Sequence, residues 1–105
     1  MNWLDICALE DINTLGSRIV KGPRGDIAIF RTSDDEVFAL DDRCPHKGGP
    51  LSQGLIYGKR VACPLHNWQI DLESGAAQAP DIGCAHHHPA RVASGRVQLA
   101  LRDAG

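Results

Sequence analysis

A chain of 105 residues with 11 Lys and Arg against 13 Asp and Glu is one domain's length at a net charge of −2, with no basic excess to hold a phosphate backbone, so no nucleic-acid partner is expected. Apolar residues at 43% and charged residues at 23% exclude a disordered tail, and four cysteines are too few for a disulfide scaffold. No apolar run nears the ~20 residues that span a bilayer, and Met1-Asn2-Trp3-Leu4-Asp5 lacks the basic start of a secretory leader. The expectation is a cytoplasmic protein without a membrane partner, its cysteines reduced.

Taken in chain order, Trp3-Leu4-Asp5-Ile6-Cys7 alternates as an edge strand does, and Glu10-Asp11-Ile12 allows one short helical turn. Residues 17–20 run into the turn at Lys21-Gly22-Pro23-Arg24-Gly25, and residues 26–31 follow. The polar Ser33-Asp34-Asp35 then leads to residues 36–40, so these last two runs read as a hairpin. Residues 59–62 lead into Cys63, and residues 68–72 alternate up to Glu73-Ser74-Gly75. Residues 90–92, a turn at Ser94-Gly95 and residues 96–101 form a closing hairpin. No segment sustains a 3.6-residue apolar period over three turns. Short β-branched runs cut by 17 Gly and Pro predict a small all-β domain with a modest core.

Two stretches stand apart from this pattern. Cys44-Pro45-His46-Lys47-Gly48-Gly49-Pro50 and Cys63-Pro64-Leu65-His66-Asn67-Trp68 each offer one thiolate and one imidazole, with 16 residues between His46 and Cys63. Cys and His suit iron–sulfur chemistry or zinc, and two matched loops of this kind can clamp a metal centre from opposite sides. Zinc accepts a Cys2His2 set, but its usual knuckles place two cysteines on one loop and two histidines on a helix. Here each loop carries one of each, which zinc does not require. Ser–His–Asp sets, paired-carboxylate clefts, P-loops and G-x-G-x-x-G are all absent, so no catalytic residue is expected on this chain.

The paired loops resemble those of Rieske proteins. The resemblance implies a Rieske fold: a small antiparallel β-sandwich with an inserted cluster-binding subdomain at about 41–80, within a single domain over 1–105. It also implies a 2Fe–2S cluster with Cys44 and Cys63 on one iron and His46 and His66 on the other. Respiratory-type Rieske loops carry a second, disulfide-forming cysteine where Gly49 and Leu65 stand here, and Gly-Ser where Asn67-Trp68 stands. Fewer donors to sulfur stabilise the reduced state less, so the potential is expected near the low end of the Rieske range, roughly −150 mV.

Within the ferredoxin-like branch, the wording CPHKGGPLSQG (44–54), CPLHNWQIDLESG (63–75) and PDIGC (80–84) is similar to that of the small subunits of assimilatory NAD(P)H-dependent nitrite reductases. The likeness extends to residues 3–7 and 38–43. It implies an electron-transfer subunit in the reduction of nitrite to ammonium, partnered by a large subunit that carries flavin, siroheme and a further iron–sulfur cluster. A free Rieske ferredoxin serving a ring-hydroxylating oxygenase, and a zinc-bound or cluster-free structural subunit, are the alternatives.

The remaining candidates have plainer expectations. Cys7 and Cys84 read as buried small hydrophobes, and His86-His87-His88, ahead of Pro89, reads as a solvated loop. Trp68 alternates with Ile70 and Leu72 and is expected in the core. Pro80 falls where Rieske proteins place a third loop over the cluster, or is a simple turn. Gly48 and Gly49 let the loop backbone approach a cluster closely or are plain turn glycines, and Lys47 reads as a solvated charge or a docking point for an acidic surface.

Overall fold

A computed structural model of the chain describes residues 3–23, 25–44, 49–64, 68–78 and 83–100. The described residues form ten strands in three antiparallel sheets, with two single 3₁₀ turns at Leu9–Asp11 and Leu51–Gln53. A four-stranded central sheet runs β2 (Ser17–Gly22), β3 (Gly25–Arg31), β4 (Val37–Asp41), β8 (His87–His88). A base sheet runs β1 (Leu4–Ala8), β10 (Arg96–Leu99), β9 (Ala90–Ala93), and a small sheet runs β5 (Leu55–Tyr57), β6 (Arg60–Ala62), β7 (Gln69–Asp71). The expected all-β architecture is the observed one.

Strand periodicity divides the core in two. Successive side chains of a strand face opposite sides of its sheet. Ile27 and Ile29 of β3, with Val37 and Ala39 of β4, pack with Cys7 of β1 and Val97 and Leu99 of β10. The alternate residues Ala28, Phe30 and Leu40 point the other way, into a second core with Ile56, Val61 and Ile70 of the small sheet. The central sheet is thus covered on both faces, which is why 27–30 reads as an unbroken apolar run and all four residues are buried. Removing the fully buried Phe30 ring by Phe30→Ala would cost about 3–5 kcal/mol.

The small sheet shows the same alternation in register. Ile56, Val61 and Ile70 pair across the three strands and face inward, whereas Leu55 and Tyr57 face solvent. Gly54 leads into this sheet so tightly that a Cβ there would run into the carbonyl oxygen of Ala62, the residue before Cys63. The two cysteine-bearing segments therefore meet backbone to backbone beneath their loops.

Two expectations are corrected here. The solvated loop expected at 86–88 holds only for His86, which is exposed and outside any strand: His87–His88 is a strand paired with β4 through Ala39 and Leu40, and His88 is buried. Pairing with a strand whose own edge would otherwise be open overrides the polar composition. Cys84 is exposed, its thiol 3.6 Å from the carbonyl oxygen of Ala85, while Cys7 is buried as expected.

Candidate metal centre

Two strands deliver the cysteines. β4 ends at Asp41, three residues before Cys44, and β6 ends at Ala62, directly before Cys63. Neither cysteine is in a disulfide, and both are buried, at 2% and 0% exposure, in the core that lies under the small sheet. Each opens a loop closed in the same way. The Cys44 amide donates to the Gly49 carbonyl at 2.8 Å, and the Cys63 amide donates to the Trp68 carbonyl at 2.7 Å. Two five-residue closures thus start from two thiols in one apolar cluster.

The flanks of the first loop are fixed by side chains. The Asp42 carboxylate accepts from the Ser52 amide at 2.7 Å and from the Ser52 hydroxyl at 2.8 Å, and the Ser52 carbonyl accepts from the Ser17 hydroxyl at 2.9 Å. The second loop is held by β6–β7 pairing and, beyond β7, by the Asp71 carboxylate, which accepts from the amides of Glu73 and Ser74 at 2.8 and 3.1 Å. Trp68 is half-buried and packs against the core, as its alternation predicts. The Asp42–Ser52 clamp carries no local sequence signal, because its partners lie ten residues apart across a Gly/Pro-rich loop.

His46 and His66 lie outside the described residues, as do Lys47, Gly48, Leu65, Asn67 and Pro80. Among the described residues no three His, Cys, Asp or Glu side chains form a metal-binding group. The structure thus brings the two cysteine segments into one core, and the positions of the two histidines rest on their place in the sequence.

A Cys-x-His and a Cys-x2-His loop, hung from antiparallel strands with both thiols turned into a shared apolar core, define an iron–sulfur protein of the Rieske class. The sequence profile described as "Rieske [2Fe-2S] domain" matches residues 2–90, and the chain belongs to that family. It is an electron-transfer domain of the kind found in oxidoreductase systems, and the family indicates a 2Fe–2S cluster.

The relatives divide between two settings. The chain is 32% identical over 105 residues to the 3-phenylpropionate/cinnamic acid dioxygenase ferredoxin subunit of Photorhabdus laumondii, covering 98% of each. Ferredoxin components of other dioxygenase systems match at 30–39% identity. The 4beta-methylsterol monooxygenase of Methylococcus capsulatus is 39% identical over 74 residues, but the match spans only 18% of that enzyme. Among solved structures, a chain provisionally assigned as the NADH-dependent nitrite reductase small subunit of Mycobacterium tuberculosis superposes with a TM-score of 0.85 at 25% identity, covering 97% of this chain and 96% of that one.

The residues present fit a cluster of this class. A pair of buried cysteines, neither in a disulfide, on two segments closed by the same five-residue backbone bond is a matched donor set.

Proposed function

We propose that this chain is the Rieske electron-transfer subunit of an assimilatory NAD(P)H-dependent nitrite reductase. Cys44 and Cys63 hold one iron and His46 and His66 the other, in a cluster-binding part spanning about residues 41–80 of one domain. The observation that carries the ligand assignment is the matched pair of segments, each opening on a buried cysteine outside any disulfide and closed five residues on by a backbone bond. The reductase assignment rests on the wording of residues 44–54, 63–75 and 80–84, with support from the nitrite reductase small-subunit neighbour.

When bound, a Rieske cluster supplies a one-electron carrier. The chain's own residues then have three tasks. Leu51, Val61 and Ile70 keep the underside of the site dry. Asp42 and Ser52 tie together the two flanks of the first loop. The backbone bonds at Gly49 and Trp68 fix the direction in which each thiol points. No helix among the described residues is long and apolar enough to cross a membrane, and reduced thiols suit the cytoplasm, where we place the protein. Its partner is a large subunit carrying flavin, siroheme and a further iron–sulfur cluster, with no substrate pocket needed on this chain.

A second reading, a ferredoxin serving a dioxygenase, is favoured by relatives that match over nearly their whole length. Deletion of the gene in cells given nitrite as sole nitrogen source separates the two. Lost growth, restored by the wild-type chain and not by Cys63→Ser, is the expected result. Normal growth without the chain transfers the assignment to the oxygenase reading, and rescue by Cys63→Ser removes the electron-transfer role.

A further inference from the structure

β8 consists of two histidines, and one of them is buried in a way the cluster loops do not explain. His88 is 8% exposed, and its Nε2 lies 2.8 Å from Asp41 Oδ1 at the end of β4. A carboxylate only accepts, so the ring hydrogen sits on Nε2 and the lone pair on Nδ1. That Nδ1 is buried with no hydrogen-bond partner among the described residues. Buried polar atoms are almost always partnered, so an unpartnered one points to a ligand.

His86 lies two residues back on the same extended segment and so projects to the same side. Its ring is exposed and stands 4.9 Å from that of His88, inclined at 61°. Two imidazoles on one ion, each at about 2.0–2.1 Å, hold their ring centres roughly 4.5–5.2 Å apart. A carboxylate that takes the far N–H of an imidazole, fixing its tautomer and leaving the other nitrogen free, is the usual support of a metal-binding histidine.

We propose that His86 and His88 form a second metal site, distinct from the cluster. It takes a borderline divalent cation of the zinc class through His88 Nδ1 and a ring nitrogen of His86. Asp41 positions His88, and water completes the coordination. Imidazole pairs suit such ions, whereas Mg²⁺ and Ca²⁺ prefer oxygen. Pro89 ends the strand directly after His88, and its carbonyl accepts from the Ala100 amide at 2.9 Å, so the backbone behind the site is tied to the base sheet. Cys84 is not a ligand in this arrangement, its thiol being turned to the carbonyls of Ala85 and Ser74 at 3.6 and 3.9 Å. His87 faces the other side by strand alternation.

The test is calorimetric titration of the full chain, cluster-loaded and oxidised so that the four proposed cluster ligands are engaged, with Zn²⁺ as the probe. One ion per chain is expected. His86→Ala, on the exposed side, should weaken binding at least tenfold while leaving the visible spectrum unchanged. Cys84→Ser and His87→Ala should stay within twofold of wild type. His88→Gln should abolish binding, but the surface variant His86→Ala carries the test if His88→Gln fails to fold. Absence of saturable binding, an affinity indifferent to His86→Ala, or loss on Cys84→Ser with retention in His86→Ala overturns the site.

Discussion

Ser52 meets both oxygens of Asp42, its amide on Oδ1 at 2.7 Å and its hydroxyl on Oδ2 at 2.8 Å. Asp42 stands two residues before Cys44 and Ser52 three after Gly49, so one carboxylate ties together the two flanks of the first loop. Hydrogen bonds to a charged group contribute about 1.5–3 kcal/mol, and this pair is part-buried. Ser52→Ala keeps the amide bond and loses the hydroxyl bond, and is expected to lower stability by about 1–2 kcal/mol. Urea unfolding measures the loss, and the half-life of visible absorbance should shorten with it. An unchanged half-life would mean the clamp does not support the loop.

The ligand assignment is read from colour. Single replacements Cys44→Ser, Cys63→Ser, His46→Ala and His66→Ala should each give protein without Rieske absorbance and with less than a tenth of the wild-type iron and acid-labile sulfide. Stability should also fall, because the cross-link between loops is lost. Cys7→Ser and Cys84→Ser should keep full absorbance. Bleaching by either of these two contradicts the assignment.

The base sheet should lose an acid-sensitive contact below the carboxylate range. Arg96 donates from Nε and Nη2 to the two oxygens of Asp5 at 3.1 and 2.7 Å, across β1 and β10. The hydrogen bond from Arg96 holds the Asp5 carboxyl below its ordinary value of 3.8, with the guanidinium charge acting in the same direction. A folded-state pKa below the unfolded one contributes stability that is present above the unfolded value and is lost as pH falls through the folded one. Wild type should therefore exceed Asp5→Asn in thermal midpoint at pH 5 to 7, and the difference should shrink below about pH 3.8. Added salt should narrow it at every pH, since both side chains are exposed. A difference that grows on acidification reverses the sign and contradicts the argument.

Thiol chemistry should sort the two remaining cysteines. Burial pushes the Cys7 thiol up, and the side chain is almost closed to solvent, whereas Cys84 is exposed. Iodoacetamide at pH 7.5 should label Cys84 at least tenfold faster than Cys7 in the native protein, with the difference vanishing in denaturant. Peptide mass mapping reads both sites, and equal native rates would place Cys7 at the surface.

Most of the fold is legible in the sequence because its strands are either alternating or fully buried. Residues 26–31 and 36–40, with a polar connection between them, are the observed β3–β4 hairpin, and the Ser94-Gly95 turn joins β9 to β10. The short helical turn near Glu10 is present, begun one residue earlier at Leu9. What escapes is made of short elements that exist by virtue of their neighbours. β5 is Leu-Ile-Tyr, too brief for a period to register, and forms because Ile56 falls opposite Val61. β8 has no strand-forming composition, and exists because Ala39 and Leu40 offer backbone groups and Asp41 a carboxylate to His88. Of the site, spacing singles out Cys44 and Cys63, which the fold brings into one core. The Asp42–Ser52 clamp is not, because it is a tertiary contact between two residues common at any surface.

The pairing of β1 with β10 also sets a timetable. Asp5 and Arg96 are 91 positions apart, so the base sheet waits for nearly the whole described chain to leave the ribosome. The small sheet needs only residues 55–71, and contacts this local close early in folding. The strands beneath Cys63 can therefore pair while β1 still lacks its neighbour, so the two cores of the molecule are completed at different times.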